Sequence, residues 1–193
     1  MFGPSDPSGI DARRAPQTPR RTARLAAYVI GLVIAALAVV ASSLMFVWPS
    51  SSAPRPADAI LVLNGADDAE RARLGLSLLR RRFAPVMLFS EGAGGNDCIR
   101  SSTLDIVCFD PKPARTVGEI AFASSYASAH HLTSLLVVAG REQTFRARLL
   151  ATRCFPGRVQ VLPASTHWWE VPFQVIYEWG ATIKAETVNS GCS

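Results

Sequence analysis

The sequence predicts an α/β protein, a Rossmann-like three-layer domain with a mainly parallel sheet, preceded by one N-terminal transmembrane helix. Short apolar runs alternate with helical segments after residue 57, which is the pattern of a parallel sheet with right-handed crossover helices. Residues 25–48 carry no charge, and as a helix they would be roughly 36 Å long, enough to cross a bilayer core of about 30 Å. We therefore divide the chain into a disordered basic tail (1–24), a span (25–48), a linker (49–56) and a domain (57–193).

Charge predicts which side of the membrane the domain occupies. Basic residues stay on the cytoplasmic side of a membrane span. Only Arg55 closely follows the span in this chain, whereas five arginines precede it: Arg13, Arg14, Arg20, Arg21 and Arg24. We expect a cytoplasmic N-terminus and an extracytoplasmic domain in the cell membrane. A cleaved signal peptide is the alternative, although its apolar core is normally about 7 to 15 residues long.

The four cysteines agree with an oxidising compartment. We predict a Cys98–Cys108 disulfide, because both residues lie in one loop rich in Gly, Asp and Pro, and a Cys154–Cys192 disulfide that ties a helix end to the C-terminus. A zinc site is the rival interpretation, but the sequence has no C-x-x-C motif and no nearby His pair. We expect no metal and no cofactor.

Several functional classes find no support. Outside the tail the charges nearly balance, so nucleic acid is not an expected partner. The glycine run that begins at Gly92 lacks the G-x-x-x-x-G-K-[ST] phosphate-loop pattern, and no G-x-S-x-G hydrolase motif occurs.

The first half of the domain is predicted as strand, helix, strand and loop. The strands are Ala59–Leu63 and Pro85–Phe89, and the helix between them is Ala69–Arg82, capped by Asp67 or Asp68. From the second strand to Pro113 we expect one long loop, of a length that is usually functional.

The second half repeats the alternation. Thr116 is predicted to cap a helix, with Glu119 as its capping-box partner. The strand Ser134–Ala139 follows, then a helix carrying Arg146. After a further strand, Val159–Pro163, the last helix has an apolar face predicted to pack in the core: Val171, Val175, Ile176, Trp179 and Ile183.

In a parallel α/β sheet, ligands bind beyond the carboxyl ends of the strands, where helix N-termini point. Glu119 is the candidate catalytic acid or base. Arg146 and Arg141 suit a phosphate, with a salt bridge from Arg146 to Glu142 or Asp67 as the alternative. The full set of predicted ligand-binding residues is Asn64, Gly65, Ser90, Glu91, Gly92, Thr116, Arg141, Gln143 and Arg146. His167, Trp168 and Trp169 follow the last strand at this edge, where the tryptophans could hold a sugar or sit at the membrane surface, with core or rim packing as the alternative.

The order of these motifs resembles the YdcF-like family, which includes the envelope proteins SanA and ElyC. Between about Ala57 and Pro163 the family pattern has a Gly-containing turn after the first strand, an Arg in the next helix, Ser-Gly-Gly, Thr-x-x-Glu and Ser-x-Tyr-His-x-x-Arg-Ala. The matching residues here are Asn64-Gly65, Arg71, Ser90-Glu91-Gly92, Thr116-Val117-Gly118-Glu119 and Gly140-Arg141-Glu142-Gln143-Thr144-Phe145-Arg146-Ala147.

The resemblance implies a role in envelope-barrier maintenance or cell-wall assembly. Gln143 replaces the family's His and cannot shuttle a proton near neutral pH, so binding is a safer expectation than a reaction. We expect a phosphorylated ligand, either a cell-wall precursor or its lipid carrier. The alternatives are a non-catalytic partner of cell-wall synthesis proteins and a binder of S-adenosylmethionine, which the resemblance also suggests.

Overall fold

A computed structural model gives the structure of the chain. It describes residues 19–49, 51–65, 68–91, 98, 101–165, 171–187 and 192. The predictions made for most of the basic tail, for Asp67, for the glycine run at Gly92 and for His167, Trp168 and Trp169 lie outside the described residues.

The domain is built on a parallel sheet of five strands. Their order is β3-β2-β1-β4-β5, so the direction of winding reverses between β1 and β4. The strands are β1 (Ala59–Val62), β2 (Val86–Ser90), β3 (Asp105–Phe109), β4 (Ser134–Gly140) and β5 (Arg158–Ala164). The predicted α/β fold with a Rossmann-like parallel sheet is confirmed, and the reversal point is where such sheets open a crevice for ligands.

The described helices are, in chain order, α1 (Pro19–Ser42), which continues as a π-helical turn (Ser43–Val47), then α2 (Asp68–Arg80), α3 (Thr116–His130), α4 (Thr144–Cys154) and α5 (Val171–Thr187). Of these, α2, α3 and α4 cover the two faces of the sheet. Strand residues alternate between two apolar layers. One layer packs against α3 and α4, and the other packs against α2. Near-continuous apolar strands are required because both faces are buried.

The prediction of an unbroken loop before Pro113 was wrong, because that segment contains β3. β3 pairs with β2 in register from Asp105 opposite Val86 to Phe109 opposite Ser90. It is an edge strand and is only half-buried along most of its length, and the loop composition on either side concealed it. The cysteine pairs Cys98/Cys108 and Cys154/Cys192 lie at disulfide distance, with Cα separations of 5.8 Å and 5.3 Å, as predicted.

The chain forms two units, residues 1–39 and residues 40–193. An apolar helical stretch of 26 residues, Thr22–Val47, meets the length and composition requirements of a membrane span or a signal sequence. The last residues of this stretch belong to the second unit. Within that unit, the Gln160 side chain of β5 holds the predicted linker: Nε2 donates to Ser52 Oγ and Ala53 O, each at 2.8 Å, and Oε1 accepts from Arg55 N at 2.9 Å.

The prediction that the apolar residues of α5 pack in the core was wrong for three of the five; Val175 is half-buried, and the side chain of Val171 lies outside the described part of the chain. Ile176, Trp179 and Ile183 are exposed, whereas Glu178 and Thr182 are buried. A helix normally turns its apolar stripe inward. Here a charged partner inside the domain holds the polar stripe inward instead, as described below.

A substitution at Gly118 tests how tightly α3 packs on the preceding loop. A Cβ at this position would overlap Pro113 O and lie 2.9 Å from Pro113 N, both backbone atoms. We expect Gly118→Ala to lower the free energy of unfolding by about 1–3 kcal/mol, since overpacking against backbone forces it to shift. The measurement is thermal or denaturant unfolding of the full-length protein in detergent.

Gly180→Ala in α5 is the matched control, because a Cβ there meets nothing within 4 Å. Alanine is the better helix former by about 1 kcal/mol, so this variant should be unchanged or more stable. Equal losses in the two variants would contradict the packing argument.

Candidate functional site

A cavity of about 640 Å³ opens at the carboxyl ends of β1 and β4. The start of α3 forms one wall and α5 forms another. Seven of the residues predicted from sequence to form a site line this cavity, hereafter the pocket: Asn64, Gly65, Glu91, Thr116, Glu119, Gln143 and Arg146. The switch between β1 and β4 therefore gathers segments that are far apart in the chain, as this topology requires.

Three predicted ligand-binding residues are not among those that line the pocket. Ser90 is buried behind it, against Glu119. Arg141 lies half-buried in the turn after β4, outside the lining. Gly92 falls outside the described residues.

The predicted capping box of α3 was wrong. Thr116 is the first helical residue after the extended Arg115, and no side chain in the described part of the chain caps this N-terminus. Thr116 Oγ1 instead accepts a hydrogen bond from Arg146 NH1 at 2.8 Å. Glu119 Oε1 accepts one from the backbone amide of Asn64 at 2.7 Å. Both side chains have tertiary partners, so the local motif does not form.

Glu119 is a buried carboxyl group at the bottom of the pocket, with 2% of its surface exposed. Burial raises its pKa above the ordinary value, although the Ser90 hydroxyl, the Asn64 amide and two arginines favour the charged form. The Ser90 Oγ atom is buried and makes no hydrogen bond of normal geometry within the described residues. A carboxyl group with a raised pKa in a pocket is a candidate proton donor or acceptor.

Arg146 does not offer a vacant guanidinium to a ligand. It forms a buried, two-pronged ion pair with Glu178 of α5: Nε donates to Oε2 and NH2 donates to Oε1, both at 2.8 Å. Burial acts to lower the pKa of Arg146, but the hydrogen bonds and charge of Glu178 outweigh it and raise the pKa above the ordinary value. The salt-bridge alternative was correct in kind, but the partner found is Glu178 rather than Glu142, and Asp67 lies outside the described residues.

Arg71 was part of the family pattern but was left out of the predicted site. It is 1% exposed, and its NH1 donates to Gln143 Oε1 at 3.3 Å. Gly65 sits against this pair with φ 147°, and a Cβ there would overlap Gln143 Nε2 and lie 3.0 Å from Arg71 NH1. Glycine is therefore favoured at position 65 by its backbone conformation, and any larger residue would also displace the ends of the Gln143 and Arg71 side chains.

Glu178 had no counterpart in the sequence predictions. The available indication was its spacing from Thr182. These two polar residues lie four positions apart on one side of an otherwise apolar helix, which marks a polar stripe.

The chemistry around the pocket suits an anion better than a metal. Arg115 and Lys184 are exposed cations in its lining, and the first residues of the uncapped helix α3, Thr116 and Val117, also line it. Among the described residues, the one group spaced for a metal is Glu91 with Cys98 and Cys108, and its two cysteines are paired with each other. Oxidised sulfurs are not the thiolates that bind metals.

Comparison of the chain with protein-family models, with curated proteins and with solved structures gave no match. The fold and the pocket therefore stand on the structure itself. The resemblance to the YdcF-like family stays a prediction from the order of the motifs in the sequence.

Replacing Glu119 with Gln tests its buried, raised-pKa state. The pKa of Glu119 is raised in the folded protein, so its contribution to stability is complete below about pH 4.5 and is lost as the pH rises through the folded value. Gln cannot ionise but keeps an oxygen to accept from the Asn64 amide. We expect the stability of wild type relative to Glu119→Gln to fall as the pH rises from 4.5. Denaturant unfolding between pH 4 and 9 measures this, and a pH-independent difference would contradict it.

A double-mutant cycle tests the Arg146–Glu178 pair. Arg146→Met leaves the fully buried Glu178 without its charged partner, and Glu178→Met does the converse. Each single change should cost about 3–5 kcal/mol of unfolding free energy, whereas the double variant should cost much less than the sum. Additive losses would mean that the two side chains do not act as a pair.

Proposed function

We propose that the chain is a membrane-anchored, extracytoplasmic protein of the YdcF-like type that binds a phosphorylated ligand in the pocket and acts in cell-envelope biogenesis or barrier maintenance. The ligand would be a cell-wall precursor or its lipid carrier. The observation that carries the proposal is the position of the uncapped N-terminus of α3, which opens into a cavity whose exposed charged residues include Arg115 and Lys184.

An uncapped helix N-terminus is an anion-binding site by nature. Its first amide groups have no acceptor within the helix, and the helix dipole places partial positive charge there. Thr116 and Val117 at this end of α3 line the pocket. Arg115 and Lys184 add two cations from different elements, a combination suited to phosphate oxygens.

Two acidic residues, Glu91 and Glu119, line the pocket, and the buried one, Glu119, is compatible with this ligand. Burial raises the pKa of Glu119, which favours the protonated carboxyl. A protonated carboxyl does not repel an anion, and it can donate a hydrogen bond to a phosphate oxygen. The negative charge of Glu178 is matched by Arg146. Phosphate binding should therefore weaken as the pH rises through the pKa of Glu119.

Burial of Phe46 supports an anchor that is retained rather than cleaved. Phe46 is 1% exposed, and its ring makes edge contacts with Phe145 at 6.4 Å and Trp179 at 5.6 Å between centroids. Cleavage after the span would strip this side chain from the domain. The arginines of the tail favour a cytoplasmic N-terminus. The two cysteine pairs favour an oxidising location for the domain.

Ligand binding is tested by thermal unfolding of the full-length protein in detergent. The panel contains undecaprenyl phosphate, sugar nucleotides, inorganic phosphate and S-adenosylmethionine. A ligand at about 100 times its dissociation constant adds roughly 2.7 kcal/mol to the unfolding free energy. We expect stabilisation by the phosphorylated compounds and its loss in Arg115→Gln/Lys184→Gln, whose side chains are exposed and line the pocket.

Arg80→Gln is the matched control, because Arg80 is exposed at the end of α2 and does not line the pocket. It should bind as wild type does. Stabilisation that survives the double change would refute the pocket as an anion site. If no compound stabilises the protein, the result would favour the alternative of a non-catalytic partner of cell-wall synthesis proteins. Stabilisation by S-adenosylmethionine alone would favour the alternative of an S-adenosylmethionine binder.

A further inference from the structure

Helix α5 has the reverse of the usual amphipathic arrangement. Its inner side carries Glu178 and Thr182, which are 0% and 7% exposed. Its outer side carries Phe173, Ile176 and Ile183, which are 80%, 74% and 57% exposed. Residues 173, 176, 180, 183 and 184 follow helical spacing, so this outer face is one continuous strip.

The strip is unlike the rest of the domain surface. Within the described residues, every exposed large hydrophobic side chain lies either between Leu25 and Trp48 or in α5. Isolated exposed apolar residues are ordinary, but a contiguous strip rimmed by polar residues marks a binding surface. Tyr177, Trp179 and Lys184 also lie on or beside the strip, and these residue types are typical of a membrane interface.

The end of the apolar N-terminal stretch is attached directly to α5. Trp179 Nε1 donates to Ser42 Oγ at 3.0 Å, and Phe46 packs on the Trp179 ring. These residues belong to the same compact unit as the domain. Crossing a bilayer core takes about 20 residues, and the stretch Thr22–Val47 has 26. Counted from Leu25, the first residue after the charged tail, about 20 residues reach Leu44, so a spanning helix would bring Phe46 to the membrane surface and Ser42 close to it.

The chain between the apolar stretch and the sheet is hydrogen-bonded to the domain. Gln160 holds Ser52 and Ala53 with hydrogen bonds of 2.8 Å. Ser42, Phe46 and the Ser52–Ala53 backbone are thus all fixed to the domain, and α5 stays at the level where the chain leaves the bilayer.

We propose that the outer face of α5 lies in the headgroup region of the bilayer, so that the pocket opens at the membrane surface. The strip is a lipid-binding surface, and the bilayer covers it. Ile176, Tyr177 and Lys184 of α5 also line the pocket. A ligand with a phosphate headgroup and an apolar tail would place its phosphate in the pocket while its tail stays in the leaflet. This last step rests on the proposed function, whereas the position of α5 does not.

The position of α5 is tested with nitroxide labels on the full-length protein in phosphatidylethanolamine and phosphatidylglycerol nanodiscs. Single cysteines replace Phe173 and Ile183, and Ala129, exposed near the end of α3 that is remote from the pocket, is the control. We expect labels at 173 and 183 to collide more often with oxygen than with a polar nickel chelate, and the label at 129 to show the reverse. Nickel access at 173 and 183 equal to that at 129 would overturn the proposal.

The route of the ligand is tested with two phosphates, a long-chain isoprenyl phosphate held in the nanodisc and water-soluble dimethylallyl phosphate. Phe173→Glu/Ile183→Glu places charge on the strip, and neither residue lines the pocket. We expect this double variant to bind the long-chain phosphate at least tenfold more weakly than wild type does. Its affinity for the soluble phosphate should change less than twofold. Ala129→Glu should change neither.

If the double change weakens the binding of the two phosphates by the same factor, entry of the ligand from the leaflet is overturned. Failure of wild type to bind either phosphate would overturn the proposed function and the ligand route together. The nitroxide result would still decide the position of α5, so the two failures are distinguishable.

Discussion

The buried ion pair between Arg146 and Glu178 is the interaction on which the site depends. It fixes α5 against α4, and the same guanidinium reaches Thr116 at the start of α3. Two walls of the pocket are therefore positioned by one side chain. In a low-dielectric interior such a pair adds little net stability over an apolar replacement, but losing one partner is costly. Its main effect here is to specify where α5 lies.

The same pair decides which face of α5 meets the surroundings. Because Glu178 must point inward to reach Arg146, the apolar side of the helix points outward. In water this arrangement would leave Phe173 and Ile183 exposed at a free-energy cost of about 1.5–3 kcal/mol each. If the bilayer covers that face, as we propose, the arrangement has a physical explanation. The polar stripe of α5 faces inward, and this one orientation accounts both for the wall that α5 gives the pocket and for the apolar strip on its outer face.

Much of the fold and part of the site were predictable from local patterns. Continuous apolar runs such as Ser134–Ala139 identify strands buried on both faces, and parallel strands end at one edge. Asn64, Thr116 and Gln143 were therefore expected to meet, and they do line one pocket. The errors came where a local pattern competed with a distant partner. Thr116 and Glu119 fit a capping box, but Arg146 and the Asn64 amide bind them instead.

By itself the sequence determined the apolar N-terminal stretch, the alternation of strands and helices, and the pairing of Cys98 with Cys108, which are 10 positions apart. These features depend on composition and spacing over short stretches of chain. The tertiary structure alone decided which polar groups bind one another. Arg146 and Glu178 are 32 positions apart and Asn64 and Glu119 are 55 apart. A buried polar group takes whichever partner the packed elements bring within hydrogen-bond distance, and no local pattern records that choice.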